Sequence, residues 1–473
     1  MMPKTKLLLL VVLLVGSGVT TKTKGQSTAD PSFVGQWSPV FDLPYKAVHL
    51  MLLPSGDKLL FWPSFEQGDN PQLWDIATGA ISPATQSGWN IFCAGHAFLP
   101  DGRLFVAGGH SNSCPHGLPN AAIYDGRSNS WTQLPNMNAG RWYPTATTLG
   151  NGDILVMAGT IDPSVGQNAL PQMWQISTNS WRDLTTAQRV QPLYPRAFLA
   201  PNGKVYIVGP YQATRYLDTA GTGKWSSIIA KSQCCLRTYG SAVMYNPGKI
   251  LIVGGGDPPT ATAEIINVEA TLPAWQYTAP MAYARRQHNA TLLPDGTVLV
   301  TGGSSGSGFD NKSAPVYAAE IWDPASGAWK TMASMAVYRG YHGTAVLLPD
   351  GRVFSAGGEK SPNNAEIFSP PYFFKGARPT ISASPASASY GQTIQIVTPD
   401  AASIARLTLL GIGADTHAIN MNQRINVLSF TKAPGILNVT MPAQPNLAPP
   451  GYYMLFIVNQ DGVPSVAKII SVS

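Results

Sequence analysis

Seven copies of one phrase run along the chain and decide most of what it can become. They are "LLPSGDKLLFWP", "FLPDGRLFVAGG", "LGNGDILVMAGT", "LAPNGKVYIVGP", "YNPGKILIVGGG", "LLPDGTVLVTGG" and "LLPDGRVFSAGG". Their turn glycines (Gly56, Gly102, Gly152, Gly203, Gly248, Gly296 and Gly351) recur every 45 to 55 residues. Asp-Gly or Asn-Gly between two apolar runs is a hairpin signal, because such turns need positive φ. Each copy is followed by a second phrase of the type "AAIYD" or "AEIWD", and in the middle copies by a tryptophan: Trp131, Trp181, Trp225, Trp275 and Trp329. Three or four strands per unit at this period predict a seven-bladed kelch-type β-propeller. The last copy ends at "AEIFSPPYFF" without its outer tryptophan strand. The segment "GQWSPV", with Trp37, precedes the first copy and would supply it. That would close the ring and remove exposed sheet edges.

The repeat occupies residues 33–372. Beyond it, "RPTISASPASASYGQTIQIV", "ILNVTM" and "GYYMLFIVN" read as short strands with Pro/Gly turns between them. They predict an immunoglobulin-like β-sandwich over 375–473. The expected fold is all-β throughout.

Only 12% of residues are charged and 10% are aromatic, which argues against disorder. The formal charge of +6 falls to +2 once Lys4, Lys6, Lys22 and Lys24 are set aside, and no Lys/Arg-rich run exists. Nucleic acid is therefore not an expected partner. Lys4 and Lys6, the apolar run Leu7 to Val15 and the small residues Gly16 to Gly18 read as a signal peptide within 1–25. The apolar run is too short to span a bilayer, so after cleavage no membrane association is expected. A retained anchor is the alternative. The expected location is secreted, extracellular, periplasmic or at the cell surface. Four cysteines occur: Cys93, Cys114, Cys234 and Cys235. Cys234 and Cys235 are adjacent and cannot bridge each other without a strained peptide bond, so this is not a disulfide scaffold, and one cysteine is open to another role.

Nine positions before each turn glycine stand Ala47, Cys93, Tyr143, Tyr194, Tyr239, Gln287 and His342. In a propeller these equivalent positions form a ring about the axis. Arginines recur upstream at Arg141, Arg237, Arg285 and Arg339. Kelch repeats favour polar or aromatic residues there for packing, and that reading suffices for Tyr194, Tyr239 and Gln287. It is weaker for Cys93, Tyr143 and the pair Tyr341–His342, since imidazole and phenolate are good ligands for copper or iron. One imidazole is too few for copper, so a further ligand must come from elsewhere.

The stretches "NIFCAGH", "GRWYPTATTL", "YRGYHGTAVLLPDGRVF" and "GADTHAINMNQR" resemble those of the copper radical oxidases, the galactose oxidase and glyoxal oxidase group. The tail "LAPPGYYMLFIVNQDGVPSVA" is similar to the end of their C-terminal domain. The resemblance spans nearly the whole mature chain. It implies one copper ion, with Cys93 joined through sulfur to the ring of Tyr143 to form a radical-bearing cofactor. Tyr143, His342 and His417 would be ligands, and Tyr341 the axial phenolate that accepts the substrate proton. It further implies a small aldehyde or primary alcohol as substrate, with O2 reduced to H2O2 and no organic cofactor. A monomer is expected.

Galactose oxidase stacks a tryptophan on its modified tyrosine just after the Gly-Gly of that repeat. Here the stretch is "MAGTIDPSVG" and the aligned residue is Ile161, so an aromatic from another loop would have to serve. With no N-terminal sugar-binding domain before the repeats, the resemblance leans to glyoxal oxidase-like members. In "GGHSNSCPHG", His110, Cys114 and His116 suit a structural or substrate-lining role better than a second metal site. The competing reading is a non-catalytic kelch propeller that binds a glycan or protein partner, and a further one is an inactive relative that keeps copper. A binding module has no need of Cys93, Tyr143, Tyr341, His342 and a distant His417 together.

Overall fold

The computed structural model describes residues 29–111 and 115–473. The expected signal peptide and Cys114 lie outside them. Seven antiparallel sheets follow one another along the chain, each starting from the strand before a turn glycine. These first strands are His49–Leu52, Gly95–Phe98, Thr145–Thr148, Arg196–Leu199, Ser241–Asn246, Arg286–Leu292 and Gly343–Leu347. The first strands of blades two, three and four pack in succession, as do those of blades five, six, seven and one, so that blade seven lies against blade one. All seven turn glycines have φ between 69° and 90°, which side chains with a Cβ rarely adopt.

The ring is closed by the two ends of the repeat region. Gln36–Trp37 pairs antiparallel with Asn364–Ser369, placing Trp37 opposite Phe368. The outer tryptophans play a common part. The indole N–H of Trp131, Trp181, Trp225 and Trp329 donates to a backbone carbonyl of the preceding blade (Thr85, Pro135, Ala187 and Ala279) at 2.7 to 2.8 Å. Trp37 does the same to Ala333 at 2.9 Å, so it serves as the tryptophan of blade seven.

The second unit packs a five-stranded sheet (Ser387–Ala388, Ile404–Gly411, Ile425–Leu428, Gly451–Asn459 and Lys468–Val472) on a three-stranded one (Thr393–Val397, Phe430–Ala433 and Ile436–Thr440). Their inner faces share a core that includes Ile396, Leu407, Leu437 and Leu455. One hairpin leaves this unit. Ala414–Thr416 and Ile419–Asn420 join the inner edge of blade one, with Thr416 opposite His49. Its side chains and neighbours bond to several blades: Thr416 Oγ1 to Val48 O, Gln423 Nε2 to Ala290 O and Arg424 Nη2 to Leu199 O. From the propeller side, Ser241 Oγ donates to the carbonyl of Ala418 at the hairpin tip.

The cysteines depart from expectation. Cys234 and Cys235 are bonded to each other despite their adjacency. The backbone N–H groups of Gln233 and Cys234 both donate to the Glu264 carboxylate, which anchors the segment that carries the pair.

Candidate active site

Six of the seven ring residues share one backbone conformation. Cys93, Tyr143, Tyr194, Tyr239, Gln287 and His342 all have φ between 46° and 69°. A non-glycine residue at positive φ is uncommon, so its recurrence marks a structural device of the repeat. The chain turns sharply there and links to the next blade: Tyr143 N–H donates to Cys93 O, Tyr194 N–H to Tyr143 O, and Gln287 N–H to Tyr239 O. The side chains of this ring are thereby held at one end of the axis. His417 comes instead from the hairpin that leaves the second unit. It and Ala418 form the two-residue tip of the inserted hairpin, both at positive φ (51° and 68°), as a type I′ turn requires.

The structure brings together Tyr143, Tyr341, His342 and His417. The ring of His417 lies 4.4 Å from that of His342, 4.5 Å from that of Tyr143 and 5.5 Å from that of Tyr341. The Tyr143 and Tyr341 hydroxyls meet in hydrogen-bond contact. Cys93 is fully buried beside Tyr143 in the same apolar cluster.

Hydrogen bonding fixes the tautomers of both imidazoles. Thr416 Oγ1 gives its proton to Val48 O and accepts from His417 Nδ1 at 2.6 Å. His342 Nδ1 donates to Glu359 Oε2 at 2.7 Å. This leaves Nε2 bare on both rings, and each Nε2 is buried without a hydrogen-bond partner. Burial, above all, lowers the pKa of both histidines, with the second imidazole adding to it at His417. Burial raises the pKa of both tyrosines, with further repulsion from Cys93. An unsatisfied buried acceptor costs roughly 1–3 kcal/mol. Two bare nitrogens and two touching phenol oxygens form a donor cluster, and a cation bound there would compensate the ionisation of the phenols that burial opposes. Among the described residues no three His, Cys, Asp or Glu side chains could hold a metal. A metal here therefore needs the phenol oxygens as well as the two imidazoles, a set that suits copper. His110 is buried with both ring nitrogens unpartnered, and burial pulls its pKa down to about 4. With His116 it forms no such cluster among the described residues.

Four further residues surround the site, and of these spacing reveals only the ring position of Tyr194. Trp142 lies flat on Tyr143, with centroids 3.8 Å apart and planes 12° from parallel, so the residue before Tyr143 supplies the stack that Ile161 cannot. Tyr194 covers the other face at 4.7 Å. His49 and His96, both fully buried, lie behind the site with His96 Nε2 3.2 Å from His49 Nδ1. Repeat position alone carries no sign of the histidine pair, but Trp142 stands in the same motif as Tyr143. A cavity of about 320 Å³ opens on Tyr143, Tyr341 and His417 between blades four and five.

Residues 255–373 match the family model described as Glyoxal oxidase N-terminus, and 378–472 match Galactose oxidase-like, Early set domain. The chain is 30% identical to a galactose oxidase of Gibberella zeae, over 94% of this chain and 72% of that one. It is 27% identical to the aldehyde oxidase GLOX of Vitis pseudoreticulata, over 84% of each. A solved fungal alcohol oxidase of the AA5 family, in complex with copper, superposes with a TM-score of 0.84 at 28% identity, covering 93% of this chain and all of that one. The donor set and these relatives agree: the chain belongs to the galactose oxidase and glyoxal oxidase family, and it is a copper radical oxidase.

Proposed function

We propose that the chain oxidises a primary alcohol or small aldehyde to the next oxidation level and passes two electrons to O2, forming H2O2. Tyr143, Tyr341, His342 and His417 would hold the copper. The observation that carries this reading is the pair of bare, buried Nε2 atoms on rings packed against Tyr143 and Tyr341, whose hydroxyls touch.

Copper, when bound, supplies a one-electron couple and a Lewis-acidic position for the substrate oxygen. The second oxidising equivalent then has to reside on the protein. Tyr143 suits that role, being buried, stacked on both faces and next to Cys93. Joining Cys93 Sγ to a ring carbon of Tyr143 removes one hydrogen from each, and O2 accepts both as H2O2. The resulting thioether-substituted phenol is easier to oxidise than tyrosine. Burial alone would keep Tyr341 protonated, whereas with copper bound it would be held as the phenolate. In turnover its oxygen receives the hydroxyl proton of the substrate, and the oxidised Tyr143 takes hydrogen from the adjacent carbon. The balance is alcohol plus O2 to aldehyde plus H2O2. An aldehyde reacts as its hydrate, so that aldehyde plus H2O plus O2 gives carboxylic acid plus H2O2. Glu359 and Thr416 keep the imidazoles in the tautomer that leaves Nε2 bare. The enzyme acts as an exported monomer, and among the described residues no helix is long and apolar enough to cross a membrane.

The test is the peptide mass of copper-loaded, aerated protein together with peroxide release. Cys93 and Tyr143 in one cross-linked peptide, lighter by two hydrogens, is expected. Separate peptides after full loading would overturn the radical mechanism.

A further inference from the structure

Most buried arginines at the axis have an acid to face. Arg237 meets Glu264 at 2.7 Å, Arg285 meets Glu320 at 2.6 Å, Arg286 meets Asp257 at 2.7 Å and Arg339 reaches Glu366 at 3.9 Å. Blade four breaks this pattern. Two positions before its ring residue Tyr194 stands Pro192 where Arg237 and Arg285 stand in blades five and six. Its buried arginine is instead Arg196, on the inner strand and only 7% exposed. Among the described residues no carboxylate lies within ion-pair distance of it. Its Nη2 donates to the carbonyls of Gly240 and Arg237, and its Nε has no partner.

Arg196 lines the cavity that opens on Tyr143, Tyr341 and His417. Arg141 and Arg424, also buried without an ion-pair acid, do not line it. Much of the remaining wall is apolar, with Leu193, Pro210, Leu236 and Ile419. Burial and Arg237 pull the Arg196 pKa down to about 10, so it stays cationic at neutral pH. An unpaired cation in an apolar wall is costly unless something that enters the cavity neutralises it.

We propose that Arg196 is an anion-recognition group, and that the preferred substrate is a primary alcohol or aldehyde that also carries a carboxylate. The carboxylate pairs with the Arg196 guanidinium, while the hydrocarbon body lies against Leu193, Leu236 and Ile419. This rests on the oxidase reading above, and it adds the substrate class.

The test compares 4-(hydroxymethyl)benzoate with 4-methylbenzyl alcohol on the copper-loaded full chain. The two are alike in size and differ in charge. A kcat/KM ratio of about 30-fold or more in favour of the anion is expected, carried mainly by KM. Arg196→Met should abolish the ratio and leave the neutral alcohol little changed, and Arg196→Lys should keep part of it. Equal use of both alcohols by the wild type, or a preference for the neutral one, overturns the proposal. So does an equal loss on both substrates in Arg196→Met, which would make Arg196 only a tie between blades four and five. Titration of the copper-free chain with terephthalate by calorimetry is independent of turnover and needs no variant. Binding that salt weakens is expected, and its absence overturns the anion site. If neither alcohol is oxidised yet terephthalate binds, the anion site stands and the oxidase reading falls.

Discussion

The backbone N–H of Cys93 donates to Nε2 of His49 at 3.0 Å. That bond fixes His49 as the Nδ1–H tautomer, whose Nδ1–H donates to Nε2 of His96. It also adds a tie of its own to Cys93, whose left-handed conformation is the one shared by the ring. His49→Phe keeps the stack on Trp62 and deletes the acceptor. The expected cost is about 1–3 kcal/mol of stability, because the Cys93 N–H is left buried and unmet. Cross-linking of Cys93 to Tyr143 should also slow, as followed by peptide mass after copper addition. A wild-type time course would refute this role for His49.

Trp142 lies over one face of Tyr143, where its π cloud favours an electron-poor ring. Stacked aromatic pairs contribute roughly 0.5–1.5 kcal/mol, equivalent to roughly 20–65 mV for one electron. Trp142→Leu should raise the potential of Tyr143 by up to that amount while the cross-link still forms. Spectroelectrochemical titration measures it, and an unchanged potential would show that the stack is mere packing.

Tyr341→Phe separates metal holding from proton transfer. The variant should retain copper through Tyr143, His342 and His417 and lose about 10²–10⁴-fold in kcat. His417→Ala should instead lose copper. Elemental analysis beside peroxide assays distinguishes the two, and near-normal turnover in the Tyr341 variant would remove it from the mechanism.

Buried neutral histidines make the copper-free chain sensitive to acid. Burial holds the pKa of His96 down at about 3 and that of His288 well below its ordinary value. In the unfolded chain such groups take up protons below their ordinary value of 6.5. Below that pH the unfolded state therefore binds more protons, and stability falls as pH falls. For His96 alone the loss at pH 5 is about 2 kcal/mol. Urea unfolding at about pH 7.5 and about pH 5 measures the slope. His96→Gln should flatten it, and an equal slope in the variant would mean that the proton uptake lies elsewhere.

The propeller was legible because a turn that demands glycine, repeated at a fixed period, sets the register of every blade. The same register puts Cys93, Tyr143 and His342 on one ring from sequence alone, and the shared left-handed backbone is its physical counterpart. His417 is different. Its place depends on a hairpin leaving one domain to pair with His49–Leu52 of another, a contact with no local signal, and only the resemblance of "GADTHAINMNQR" points to it. Trp142 sits inside a motif already singled out, yet its importance lies in ring orientation, which spacing does not encode. The His49–His96 pair and the unpaired Arg196 are contacts between blades and were out of reach for the same reason.

The hairpin bearing His417 has a consequence for how the enzyme is made. Tyr143 and Cys93 emerge early in synthesis and Tyr341 and His342 much later, but the fourth donor comes only after the entire ring has been translated. Because Trp37 must find Phe368 to complete the last blade, a nascent chain has neither a closed channel nor a full set of donors. On the proposed set of ligands, redox chemistry would thus be withheld from the unfinished protein. The first oxidative turnover, which would cross-link Cys93, becomes a certificate that both domains have folded around one another.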